Sequence, residues 1–390
     1  MLSLFDEVHE RRKTRSVKWD LMEMIYEVED ASDILPLWVA DMDFPAPPPV
    51  TEALKQRLEH PILGYTYVDE DCKKAIAGWQ QRRNDWTIDE QEIIFQSGVI
   101  PAIAAILQIF TNPGDSVVVT TPVYPPFFSI PQNQGRKVLY SELIENAGEY
   151  TIDFSDLEDK FSKASIFIFC HPHNPGGKVW KEEEMKEILR LAEKHDILII
   201  SDEIHSDLVL KPHKHVPLAK LAGRQTHRIF TCIAPTKTFN LAGIQASMLV
   251  VTDPKKRLRL ENHAAAHGTG MMNAFAPVAL KAVYEEGDAW LDELLEVLSA
   301  NMDYVTEKLA KALPAIKIHK PEATYLMWLD CRGLGIEEAE IMDKLLQDGK
   351  VALEPGSKYG ESGRGFLRLN VACPRPMLED GVERIIKALG

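Results

Sequence analysis

Between about residue 93 and residue 251, short apolar runs alternate with stretches of helical periodicity, and this alternation restricts the fold of the 390-residue chain more than any other feature. The runs are Ile93-Ile94-Phe95, Val117-Val118-Val119, Lys137-Val138-Leu139, Ile166-Phe167-Ile168-Phe169, Ile197-Leu198-Ile199-Ile200, Ile229-Phe230-Thr231 and Met248-Leu249-Val250-Val251. Continuous apolar runs rich in β-branched and aromatic residues suit strands covered on both faces. Between two of them, 181–195 sets Met185, Ile188, Leu189 and Ala192 on one helical face. Such βα alternation predicts an α/β fold with a mostly parallel, doubly wound sheet, whose ligands bind beyond the carboxyl ends of the strands.

A chain of this length is expected to split into two domains. Residues 1–44 read as a charged helical start followed by the apolar run Ile34-Leu35-Pro36-Leu37-Trp38-Val39-Ala40. Pro45, Pro47, Pro48 and Pro49 then stiffen the connection and mark the first boundary. Helix 50–59 leads to the aromatic loop Gly64-Tyr65-Thr66-Tyr67. After 287 the texture changes to a long helix, Trp290 to about Leu313, with strand-like pieces at Tyr325–Leu329 and Phe366–Asn370. The expected division is a large domain over 45–287 and a smaller α+β domain built from 1–44 and 288–390.

Charge and cysteine usage narrow the setting. A net charge of -15 argues against nucleic acid or an anionic membrane surface as partner. The longest uncharged run, Gln96 to Gly114, is broken by Pro101 and Pro113 and reads as a buried helix, not a membrane span. The N-terminus lacks the apolar core of a signal peptide. Five scattered cysteines (Cys72, Cys170, Cys232, Cys331, Cys373) without C-x-x-C spacing point to a reducing cytoplasm, with neither a disulfide framework nor a zinc site.

Three polar groups fall where strands should end: Asn174 after Cys170, Asp202 after Ser201, and Lys237 beyond Thr231. An amide, a carboxylate and an amine on one sheet edge suit pyridoxal phosphate (PLP). A lysine in small and apolar surroundings, here Ala234-Pro235-Thr236-Lys237-Thr238-Phe239, loses its charge readily and can hold an aldehyde as a Schiff base. A carboxylate keeps a pyridine nitrogen protonated, and an amide donates to a phenolic oxygen. Ser97-Gly98-Val99-Ile100-Pro101 follows a strand and opens a helix, with Ser97 expected as N-cap, so its free N–H groups suit a phosphate. Tyr124, in Thr121-Pro122-Val123-Tyr124-Pro125, follows another strand and can stack on a ring.

On these stretches the chain resembles a fold-type I PLP enzyme of the class I/II aminotransferase superfamily, with the aspartate aminotransferase-like fold. Within it, the chain is most similar to the PatB/MalY-type cystathionine β-lyases. The resemblance is carried by Leu35-Pro36-Leu37-Trp38-Val39-Ala40-Asp41-Met42-Asp43-Phe44, Gly64-Tyr65, His173-Asn174-Pro175-Gly176-Gly177-Lys178-Val179-Trp180, Ser201-Asp202-Glu203-Ile204-His205, Lys237-Thr238-Phe239-Asn240 and the stretch Tyr359 to Asn370. It implies that Lys237 is the Schiff-base lysine, Asp202 the pyridinium partner, Asn174 a ligand of the phenolic oxygen and Tyr124 the stacking ring. It places Ser97, Gly98, Val99 and Thr236 at the phosphate, which Tyr65 reaches from the neighbouring subunit of a homodimer. Arg368 is implied as the clamp of the substrate α-carboxylate, with Ala40, Asn174 and Tyr124 also lining the substrate.

Two positions depart from the broad aminotransferase pattern. Gln245 stands eight residues beyond the lysine, where many members have an arginine against the phosphate, and His205 stands three beyond the aspartate, where many have tyrosine. His205 is counted with the cofactor set, and its own role is open. Both departures agree with the lyase branch. The expectation is a C–S β-lyase that takes cystathionine and related cysteine S-conjugates to a thiol, pyruvate and ammonia, a step of methionine biosynthesis. An aminotransferase is the alternative, since the same residues serve both. A helicase reading of Asp202-Glu203-Ile204-His205 fails for want of a phosphate-binding loop. His205, His213 and His215 lack a completing ligand for a metal, and none is expected.

Overall fold

The computed structural model describes residues 3–146 and 148–390; Met1 and Leu2, the start of the expected N-terminal part of the small domain, lie outside the described residues. The seven apolar runs become the strands β1 (Ile93–Gln96), β2 (Ser116–Thr121), β3 (Lys137–Glu142), β4 (Ile166–Cys170), β5 (Leu198–Asp202), β6 (Ile229–Ile233) and β7 (Ser247–Val250). They form one sheet in the order β1-β7-β6-β5-β4-β2-β3. β7 runs antiparallel to both of its neighbours, and the other pairs are parallel. Six strands therefore present their carboxyl ends along one edge.

The apolar runs are explained by burial on both faces. Along β4, Ile166 and Ile168 enter one hydrophobic cluster while Phe167 and Phe169 enter the other. Helix α1 (Val99–Phe110) buries Ala102, Ile103, Ile106 and Leu107 in the first cluster, and α2 (Glu182–Lys194) buries Met185, Ile188 and Leu189 in the second. α1 is thus the buried helix that its uncharged sequence predicts. Only the edge strand β3 shows an exposed, mixed pattern.

A four-stranded antiparallel sheet follows the 25-residue helix α3 (Asp288–Ala312). Its strands are β8 (Lys317–Ile318), β9 (Leu326–Asp330), β10 (Glu354–Pro355) and β11 (Phe366–Asn370), in the order β8-β9-β11-β10. Leu35–Pro36 pairs in parallel with Val351–Ala352, so the N-terminal segment joins this part of the chain.

The charged helical start is corrected. Residues 3–15 form turns and irregular chain, with short helices only at Val17–Asp20 and Met22–Tyr26. The charges there are used in local turns and in long-range ion pairs instead of along a helix face. Asp20 accepts from the backbone N–H groups of Lys13 and Ser16. Arg11 and the fully buried Lys18 both pair with Asp43, and Arg11 also with Asp41. No helix of the described residues is long and apolar enough to cross a membrane.

Candidate active site

A cavity of about 390 Å³ opens at the carboxyl ends of the large sheet, against β10 and β11 of the smaller one. The strands deliver its chemistry. β5 ends on Asp202 itself, one residue later than the sequence suggests, and β4 is followed by the turn to Asn174. β6 is followed by the four-residue helix Pro235–Thr238, which carries Thr236 and Lys237. β1 and β2 bring Ser97-Gly98-Val99 and Tyr124 to the same edge, and all of these residues line the cavity together with Ala40, His205, Gln245 and Arg368.

One expectation meets a different geometry. The N-cap of α1 is Gly98, not Ser97, and no side chain caps this helix. Ser97 lies one residue too early to cap the turn, which leaves the first N–H groups of α1 without a side-chain cap where Gly98, Val99 and Ile100 line the cavity. Tyr65 is 95% exposed and does not line the cavity of its own chain.

Burial sets the electrostatics. Lys237 Nζ donates to the carbonyl of Ala40 at 2.7 Å, and its pKa is lowered to about 8 by burial first and by the charge of Arg368 second. Asp202 accepts from the Ile204 N–H at 3.1 Å on one oxygen. Burial, with the neighbouring Glu203, lifts its carboxyl to about 7 despite that bond. His205 falls to about 3, again mainly through burial, so it faces the cavity as a neutral ring with Nδ1 unpartnered.

Arg368 organises the other wall. Its Nη1 donates to Asn174 Oδ1 at 3.3 Å, which turns the Asn174 NH₂ group into the cavity as a donor. Nη2 donates to the Trp38 carbonyl at 3.0 Å and to Glu354, and the guanidinium lies over the Tyr359 ring at 5.1 Å. Tyr359 lines the cavity, whereas Arg364 is exposed and paired with Glu361. His215 bonds Glu203 at 2.8 Å in the interior, away from any shared cluster with His213.

Glu354 and Tyr325 escape the sequence reading. Glu354 is a lone carboxylate ending the apolar run Val351-Ala352-Leu353, which is the one sequence signal it gives. Tyr325 donates to the Ala40 carbonyl at 2.9 Å from inside a strand-like run that reads as plain core.

The donor set fits PLP. A buried carboxyl near 7 with a free oxygen gains its charge from a protonated ring nitrogen, an amide NH₂ and a neutral imidazole face the same space, and an amine near 8 is easily made nucleophilic. The sequence profile described as aminotransferase class I and II matches residues 32–385. The chain belongs to this family. Members similar to it include the cystathionine β-lyase PatB of Bacillus subtilis, 46% identical over 387 residues with 99% of both chains covered. Among solved structures, PLP-containing cystalysin from Treponema denticola superposes with a TM-score of 0.96 at 36% identity, covering 100% of this chain and 99% of that one. The PLP-bound C–S lyase from Staphylococcus hominis gives 0.92 at 30% identity, covering 100% and 98%. Proteins named as lyases thus match this chain along almost its whole length.

Proposed function

We propose that the protein is a PLP-dependent C–S β-lyase acting on cystathionine and related cysteine S-conjugates. The observation that carries this reading is the convergence of Lys237, Asp202 and Arg368 on one cavity. The names of the similar proteins, cystathionine β-lyase, cystalysin and C–S lyase, support the reaction type. Bound here, PLP supplies an aldehyde for an amino group and a protonated ring that accepts electrons from Cα.

The residues take the following parts. Lys237 is the residue that would hold the cofactor aldehyde, and its amine, once free, would take the Cα proton of the substrate. Asp202 balances the charge on the ring nitrogen. The Asn174 amide and His205 would serve the phenolic oxygen, Tyr124 would stack on the ring, and Ser97, Gly98, Val99 and Thr236 would hold the phosphate with the N-terminus of α1. Arg368 clamps the α-carboxylate beside Ala40, Asn174 and Tyr124. The Cβ–S pair of electrons leaves with the thiolate, and water completes the conversion to pyruvate and ammonia. With cystathionine the thiol is homocysteine, which places the step in methionine biosynthesis.

The exposed aromatic and apolar loop Ile62, Leu63, Tyr65 and Tyr67 supports a homodimer in which Tyr65 reaches the other subunit's phosphate. The pairing of Leu35–Pro36 with Val351–Ala352 supports the division into 45–287 and 1–44 with 288–390. Five free, buried cysteines support work in a reducing cytoplasm. The deciding experiment is incubation of the PLP-loaded protein with L-cystathionine. Stoichiometric pyruvate and homocysteine are expected, and amino-group transfer to a keto acid without pyruvate points to an aminotransferase instead.

A further inference from the structure

Among the described residues, Glu354 is the one cavity carboxylate that neither the cofactor nor the reaction uses, and its placement is specific. Glu354 and Arg368 are direct cross-strand partners of β10 and β11, so their side chains meet without long-range adjustment. Arg368 is buried and Glu354 mostly so, with side chains 3% and 15% exposed. The Glu354 oxygen that accepts from Arg368 Nη2 also accepts from the Tyr359 hydroxyl at 2.8 Å. Its other oxygen lies 3.6 Å from Lys358 Nζ, a half-exposed cation. On the guanidinium, Nη1 has only the 3.3 Å bond to Asn174, and Nε is buried without a partner.

A planar guanidinium grips a carboxylate through two neighbouring N–H groups. Nε is buried, so an arriving carboxylate must take Nη1 and Nη2, and the two N–H groups of Nη2 are already held by the Trp38 carbonyl and Glu354. From these contacts we infer that Glu354 is an exchangeable counter-carboxylate, which keeps the Arg368 clamp charge-balanced and aimed when empty and yields Nη2 to the incoming α-carboxylate. Tyr359 and Lys358 keep Glu354 partnered after the exchange, so no buried charge is stranded. The exchange weakens ground-state binding of the carboxylate and keeps the clamp from being blocked by any small anion. Glu354 is a positioning residue in this scheme and touches no reacting atom.

The inference rests on the reading of Arg368 as the carboxylate clamp. Its test uses the PLP-loaded protein and propionate, a carboxylate with no amine, with binding followed by calorimetry and kinetics followed separately. Glu354→Gln should bind propionate about tenfold more tightly, because the guanidinium loses its competing anion. Its KM for cystathionine should fall while kcat does not rise. Glu354→Asp keeps the charge but withdraws it from Nη2, so a smaller tightening is expected from a variant less prone to misfold. A support role alone predicts weaker propionate binding in both, and equal or weaker binding in the folded variants overturns the exchange. If Arg368→Lys binds propionate as tightly as the native protein, the clamp reading fails instead. Tighter propionate binding in Glu354→Gln, together with no pyruvate formation from cystathionine by the native protein, would leave the exchange standing and sink the lyase reading.

Discussion

Lys237 and Tyr325 donate to the same acceptor: Nζ at 2.7 Å and the phenolic hydroxyl at 2.9 Å both meet the carbonyl oxygen of Ala40. That carbonyl belongs to the segment Trp38–Phe44, which is gripped along its whole length. Arg368 takes the Trp38 carbonyl, Asn370 those of Val39 and Asp41, and Asn240 those of Met42 and Phe44. The free amine therefore has a fixed seat beside the cavity, one it can occupy whenever it is not bonded to the cofactor.

Lys237→Ala should abolish covalent attachment of PLP and reduce turnover by at least about a thousandfold, since both anchor and base are lost. Borohydride reduction followed by mass spectrometry of the variant checks it. A labelled peptide from any other lysine removes Lys237 from the role. Tyr325→Phe should leave attachment intact and lower kcat more than it raises KM.

Asp202→Asn should retain PLP and lose about a thousandfold in kcat, because an amide cannot hold the ring nitrogen protonated when charge reaches the ring. Near-native turnover in this variant, measured at saturating cystathionine, is the outcome that rejects the assignment.

Without PLP, the raised pKa of Asp202 becomes a stability effect with a definite sign. The folded chain keeps a proton up to about 7 that the unfolded chain releases near 4, so this group makes stability fall as pH rises through that window. Lys237 acts oppositely at higher pH, since its folded value of about 8 lies below the unfolded one. Cofactor-free Asp202→Asn should therefore gain on the cofactor-free native protein between pH ~5 and ~7.5, by up to a few kcal/mol. Thermal melts of both across that range test it, and a constant difference contradicts it. PLP should flatten the slope by giving Asp202 its cation.

The buried pair Lys18–Asp43 ties the N-terminal segment to the segment that carries Ala40, at 2.5 Å and with Lys18 fully inaccessible. Lys18→Met should cost about 3 kcal/mol, because it removes one cation from a buried carboxylate that also holds Arg11 and the Trp19 indole. Restoring part of that loss by adding Asp43→Leu, in denaturant titrations, is the expected sign that charge and not packing is at stake.

These cases also show what the sequence makes legible. The strands announce themselves because burial on both faces demands unbroken apolar runs, and Asn174, Asp202 and Lys237 stand out as the polar residues that end them. The bonds of Lys18 and Arg11 to Asp43 do not announce themselves. A charge used in the interior looks the same in sequence as one facing water, which is why the start of the chain within 1–44 reads as a charged helix. Glu354 is hidden for the same reason, since its partner lies 14 residues away in sequence and directly opposite only in register. Ser97 resembles an N-cap by type, and one residue of offset gives that place to Gly98.

Reaction type is the remaining expectation. A lyase and an aminotransferase need the same Lys237, Asp202 and Arg368, so the difference must lie in how easily the β-substituent departs. Among the described residues, the acids lining the cavity include Tyr124 and Cys170, and burial pushes both pKa values up, so neither donates a proton readily at neutral pH. His205 is neutral there and has no proton to spare as imidazolium. Apart from Lys237 and Asp202, whose parts are taken by the Cα proton and the ring nitrogen, these groups offer no ready proton, which suits a leaving group that departs as an anion, and a thiolate is one. Rates with cysteine S-conjugates should therefore rise as the thiol becomes more acidic, and serine O-ethers, whose alkoxides need protonation, should react at least about a hundredfold more slowly. Gln245 gives a second handle. It lines the cavity at a positive φ of 54°, where Gln and Arg are equally strained, so Gln245→Arg should tighten PLP without changing the product. The measurement is kcat/KM for pyruvate release across a thiol series, beside kcat/KM for transamination of common amino acids. If any transamination exceeds cystathionine elimination, or the rate is indifferent to thiol acidity while ethers react equally well, the protein is an aminotransferase with elimination as a side reaction.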